Sequence, residues 1–186
     1  MFDSEVTFIS AIVLTTMILL AAAVVADLKS HRIPNVLLAP ALSVALLLNT
    51  MHGGVDGLLL ATGGLSLGIL MFLPLYAVGG MGAGDVKLLG VVGSFLGPWG
   101  VLFAGISAMV AGAVFGIVAI IWRRVRPSLE FRATQMLSPG VHTMHAQAQR
   151  ASTKGVVTQI AYAPAIATGA IVALWYIGYL PDPLFG

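Results

Sequence analysis

Apolar residues fall in six long stretches separated by short polar breaks, at roughly 6–26, 36–50, 57–78, 86–98, 100–122 and 158–180. A membrane-spanning helix needs ~20 apolar residues, and the second and fourth stretches are short against that length. Gly97-Pro98-Trp99-Gly100 combines turn residues with an interfacial aromatic and divides what would otherwise be one over-long apolar run. The pattern predicts an all-α polytopic membrane protein of about six transmembrane helices. A long polar segment, about 123–157, precedes the last of them. The chain reads as a single integral-membrane domain over 1–186, with no room for a sizeable soluble one.

Composition points the same way. Hydrophobic residues make up 59% and charged residues 9%, against about 25% charged in a soluble domain. The chain has no cysteine, which excludes disulfides, cysteine-type zinc sites and thiol catalysis. Met1-Phe2-Asp3-Ser4-Glu5 is acidic, whereas a cleavable signal peptide opens with basic residues, so the first stretch reads as a retained span.

Charge sets the expected topology. With the N-terminus outside, the inner segments are about 27–35, 79–87 and 123–157, and all nine basic residues fall in them. The outer segments hold Asp3, Glu5, Asp56 and Asp182 without a lysine or arginine. This positive-inside pattern puts Asp27 and Asp85 on the same, cytoplasmic side. In the polar segment, Arg123-Arg124-Val125-Arg126 suits contact with anionic headgroups. Leu129, Ala133, Met136 and Leu137 recur at helical spacing, so a surface helix and a loose loop are both open there. Gly63-Gly64 with Gly68, and Gly105 with Gly112 and Gly116, are small-residue patterns that permit close helix packing.

Two acids carry the candidate chemistry. Asp85 closes Gly82-Ala83-Gly84-Asp85, a GxGD pattern at the start of the fourth stretch. Its structural explanation is a helix N-cap. The flanking glycines add backbone freedom and room for an extended peptide. Asp27 lies at the C-terminal end of the first stretch, where the helix dipole disfavours negative charge, and an ionisable group near hydrocarbon is a functional candidate. Lys29 and Lys87 are each two residues from an aspartate, a spacing that does not pair on a helix, and read as snorkelling anchors. Arg32 is left as a long-range partner for Asp27. If the carboxylates meet, they share a proton, one activating water and the other protonating a carbonyl. His142 and His145 have i, i+3 spacing but no third ligand nearby, so no metal site is expected. His31 and His52 lie in connecting segments.

On these residues the chain resembles the type IV prepilin peptidases, GxGD aspartyl proteases of the A24 family. Asp27 followed by Ile33-Pro34-Asn35 looks like the first family motif, and Gly82-Ala83-Gly84-Asp85-Val86-Lys87-Leu88 like the second. Tyr162-Ala163-Pro164-Ala165-Ile166-Ala167-Thr168-Gly169, opening the last stretch, is similar to a late proline-containing segment of the family. The resemblance implies Asp27 and Asp85 as catalytic residues. It implies Gly82 and Gly84 as shaping the second site, Pro34 and Asn35 as fixing the turn that presents Asp27, and Pro164 as lining the substrate path. It implies a bacterial inner-membrane peptidase with its active site facing the cytoplasm. The substrates would be prepilin-like proteins with a basic leader and a hydrophobic helix. The lipid bilayer is the other partner, with no cofactor and no nucleic acid expected. Longer members carry a cysteine tetrad and also methylate the new N-terminus. The cysteine-free chain resembles the short, peptidase-only form of Flp/Tad-like systems, so methyltransferase activity is not expected. Three other readings stay open: a proton-coupled small transporter, a non-catalytic pilus or secretion assembly subunit, and a presenilin-type intramembrane protease.

Overall fold

The computed structural model describes residues 2–30, 33–137 and 162–179. Its elements are α1 (Phe2–Ser30), α2 (Asn35–Ala77), α3 (Ala83–Leu137) and α4 (Ala163–Tyr176), with no strand among the described residues. The chain divides into two compact units, Met1–Ala113 with Ala161–Gly186, and Val114–Ile160. Three helical segments are long and apolar enough to cross a membrane: Glu5–Ser30, Asn35–Ala77 and Ala83–Val118. α4 is a shorter apolar helix of 14 residues. Its core lies well inside the expected 158–180.

α2 and α3 are each broken by one glycine. Straight, the 43 residues of α2 would extend ~65 Å, twice the hydrocarbon thickness of a bilayer. The break is Gly54, at φ 58° and ψ −131°, a conformation that side chains resist. A methyl group on Gly57 would overlap the carbonyl oxygen of Asn49. Residues eight apart lie ~12 Å apart along a straight helix, so the chain folds back at Gly54. Gly97, at φ 71°, does the same to α3, where a methyl on Gly93 would come within 2.9 Å of Val101 Cγ2. These breaks fall where the apolar pattern separates 36–50 from 57–78 and 86–98 from 100–122. Residues 123–137, read as the start of the polar segment, are helical in continuity with α3. Arg32, the histidines His31, His142 and His145, and the rest of that segment lie outside the described residues.

Packing explains why the apolar pattern is so continuous. The stretch from Asp85 to Phe95 is buried at every residue but Lys87, so it is the central helix of its unit. Such a helix is hydrophobic all round because protein surrounds it. α1 packs against α2 and α4. Its buried stripe is Ile12, Thr16, Leu19, Leu20, Ala23 and Asp27, while Leu14, Ile18, Val25 and Leu28 stay exposed on the other side. Exposed leucine and isoleucine suit a lipid-facing surface. Close helix approach comes from glycine. A methyl on Gly64 would overlap the carbonyl oxygen of Gly93, and one on Gly68 would lie 2.7 Å from that of Leu89.

One polar contact stabilises the Gly97 break. Pro98 has no N–H, so the Ser94 carbonyl loses its helical partner. Asn49 Nδ2 donates to that oxygen at 3.1 Å and also to Ala45 O at 2.9 Å. Replacing Asn49 with Leu removes the donor and leaves a part-buried carbonyl unpaired. The expected cost is about 1–3 kcal/mol, read as a lower unfolding midpoint in detergent. An unchanged midpoint would show that the carbonyl finds another donor. At the far end of α1 from Asp27, Glu5 Oε1 lies 3.5 Å from His52 Nε2, and Phe8 stacks on His52 with ring centroids 3.8 Å apart.

Candidate active site

Asp27 and Asp85 are both buried, at 5% and 8% exposure, and lie within electrostatic reach of one another. Each owes its place to a different part of the sequence. Asp27 ends the buried stripe of α1. Asp85 is the third residue of α3, at the start of its central segment. An acid there is favoured by the helix dipole.

Asp85 is not the N-cap that its position in the sequence suggested. The cap position falls at Gly82, whose carbonyl accepts the Asp85 N–H at 3.1 Å. The Asp85 carboxylate turns back to the Gly82 amide, the reach-back of a capping box. This accounts for Gly82 sterically, because a methyl there would sit 3.2 Å from Asp85 Oδ2. Gly84 is explained by contact too, since a methyl there would lie 3.2 Å from Ile33 Cβ. Neither glycine has positive φ, a conformation found among the described glycines at Gly54, Gly79, Gly97 and Gly178. The expected backbone freedom at Gly82 and Gly84 is therefore replaced by a need for close approach.

The two motif segments touch at a second point. Pro34 caps the start of α2 with extended backbone, and its carbonyl accepts the Leu37 N–H at 3.0 Å. Asn35 begins α2, and its Oδ1 accepts a hydrogen bond from Lys87 Nζ at 3.1 Å. Lys87, expected as a snorkelling anchor, instead ties α3 to the start of α2. Neither aspartate is in an ion pair among the described residues.

Asp27 has a partner that no local pattern reveals. Its Oδ2 accepts the backbone N–H of Ala163, the first residue of α4, at 3.1 Å. The acid at the unfavourable end of α1 thus sits at the favourable end of α4. Pro164 follows in the first turn, where its missing N–H costs nothing. The sequence places Tyr162-Ala163-Pro164 at the opening of the last span, but a contact across 136 positions has no signature in spacing. Direct contacts thus join the 82–87 segment to Ile33 and Asn35, and Asp27 to the start of α4. Among the described residues, no group of three metal-ligating side chains comes together.

An all-helical membrane fold that buries two acids from separate helices at one helix-end junction defines a narrow class of protein. Residues 14–117 match the type IV leader peptidase family, more than half of the chain. The chain belongs to that family. It is also similar to a prepilin leader peptidase/N-methyltransferase of Bacillus subtilis (strain 168), at 30% identity over 129 residues. That alignment covers 67% of this chain and 50% of the relative, so the chain spans about half the length of the curated relative it matches. No solved structure matches the chain.

Proposed function

We propose that this chain is a membrane aspartyl endopeptidase that removes the leader from prepilin-like proteins. The observation that carries the reading is the pair of buried aspartates, Asp27 and Asp85, at the junction of the two motif segments. Family membership supports the reaction class. In the proposed mechanism one carboxylate serves as base and the other as acid. The ionised member takes a proton from water, and that water attacks the scissile carbonyl. The protonated member donates to the carbonyl oxygen and then assists the leaving amine.

The surrounding residues have proposed roles of their own. Gly82 and Gly84 shape the second site, Gly82 by leaving room for the Asp85 carboxylate and Gly84 by letting Ile33 approach. Pro34 and Asn35 fix the turn after α1, and Pro164 lines the substrate path. The proposed topology has six spans with the N-terminus outside, α2 and α3 each crossing twice through their breaks. The nine basic residues and both aspartates then face the cytoplasm of a bacterial cell, across its inner membrane. The substrate would present a basic leader there and keep its hydrophobic helix in the bilayer. The Bacillus relative's name includes N-methyltransferase. The proposal for this cysteine-free chain is confined to the peptidase reaction.

The test is co-expression with a prepilin-like protein, with leader removal read by gel shift and the product N-terminus by mass spectrometry. The expected product is the cleaved, unmethylated protein. Absence of cleavage across several prepilin-like substrates, at normal membrane levels of the chain, would refute the peptidase reading. A methylated product would refute the restriction to peptidase activity.

A further inference from the structure

The Ala163 amide reaches Asp27 only if the start of α4 is held in place. The residue before that helix, Tyr162, has helical backbone and makes no side-chain cap bond of its own. Pro164 has no N–H, so it offers Asp27 no alternative donor. The position of one amide therefore depends on how Tyr162 is seated. Its ring lies against the bare backbone of Gly112 on α3. A methyl on Gly112 would stand 2.6 Å from Cε1, Cζ and the hydroxyl oxygen of Tyr162, well inside contact distance. Two residues beyond Pro164, Ile166 returns its N–H to the Tyr162 carbonyl at 3.1 Å, so tyrosine and first turn move together. Deeper in α4, Gly169 rests on the backbone of Ala104 and Ala108. That second contact holds the helix body without fixing its first residue.

We infer that Tyr162, seated on Gly112, is a positioning residue for Asp27, acting through the Ala163 N–H. The inference rests on the proposed peptidase reading. It assigns to a ring-on-glycine contact in α3 and α4 the placement of an acid carried by α1. The ring's shape is what matters, since Gly112 offers a flat seat and no polar partner for the hydroxyl. Displacing the ring leaves the acid present and the helices packed, but turns the carboxylate away from its working geometry. Small misplacements of a reacting group are costly: about 1 Å can lower turnover up to ~100-fold.

The experiment measures kcat and KM for cleavage of a purified prepilin-like protein by the full chain in detergent. Variants are Tyr162→Ala, Tyr162→Phe, Gly112→Ala and Gly112→Val, with unfolding midpoints measured alongside. Tyr162→Ala and Gly112→Val are expected to lower kcat by about tenfold or more, with KM within about twofold. Tyr162→Phe keeps the ring and is expected to restore most of the turnover. Gly112→Ala, which asks the ring to shift less, is expected to fall between and covers the case in which valine prevents folding. Unchanged kcat in Tyr162→Ala and both Gly112 variants would overturn the inference. So would an effect confined to KM, or a loss in Tyr162→Phe as deep as in Tyr162→Ala. Asp27→Asn and Asp85→Asn run beside them separate the two readings. If these retain cleavage, the two-aspartate reading fails. If these lose it while the Tyr162 and Gly112 variants do not, only the positioning role fails.

Discussion

Asp85→Asn and Asp27→Asn are each expected to lower leader cleavage by about 10²- to 10⁴-fold, the range typical of a lost acid–base group. The exchange is close to isosteric, so the loss would come from chemistry and not from packing. Asparagine at 27 still offers an oxygen to the Ala163 N–H, which keeps the start of α4 in place. Asparagine at 85 has nearly the size of the acid, so it fits beside Gly82, which carries no side chain to meet it. Unfolding midpoints should therefore move little while activity collapses. The double variant is expected to be no worse than either single one, because the pair acts as a unit. The measurement is a time course of leader removal with membrane levels matched. Substantial cleavage by either single variant would take that residue out of the mechanism. Two losses that multiply in the double variant would mean that the acids work independently.

The largest expected effect on stability comes from the crossing of α2 over the central part of α3. In a bilayer, lipid is as apolar as leucine, so helices associate through close packing more than through water exclusion. At this crossing the backbones themselves meet. A side chain on Gly64 or Gly93 would run into main-chain atoms, which cannot turn aside as a flexible side chain can. Gly64→Val or Gly93→Val is expected to destabilise the fold by about 3 kcal/mol or more, at the upper end of overpacking effects. Gly53→Ala is the control, since nothing lies within 4 Å of the added methyl. Its expected effect is within ~0.5 kcal/mol. Reversible unfolding in mixed micelles measures the difference. Tolerance of valine at both positions would mean that the crossing opens at little cost.

Much of this fold can be read from the residues, for a clear reason. Spans are long and apolar, and the breaks within α2 and α3 carry Gly-rich or Gly-Pro signals that need no tertiary knowledge. The Gly97-Pro98 turn is the plainest, because proline suits the first turn of the helix that follows. The two aspartates stand out because charge is scarce in the chain. What escaped the sequence is everything decided by contact across the chain. Gly82 and Gly84 suggested unusual backbone, and instead they clear space for Asp85 and Ile33. Lys87 suggested a headgroup anchor, and instead it bonds Asn35. Asp27 looked misplaced on the dipole of its own helix, and the compensation came from a helix that begins 136 residues later.

That last distance has a meaning in time as well as in space. A chain made from its N-terminus supplies Asp27 first, Asp85 next and Ala163 last of the three. Until Ala163 arrives, the first acid lacks the amide that holds it. On the proposed reading, a nascent chain that has reached Asp85 and not yet Ala163 carries both acids without that hold on the first.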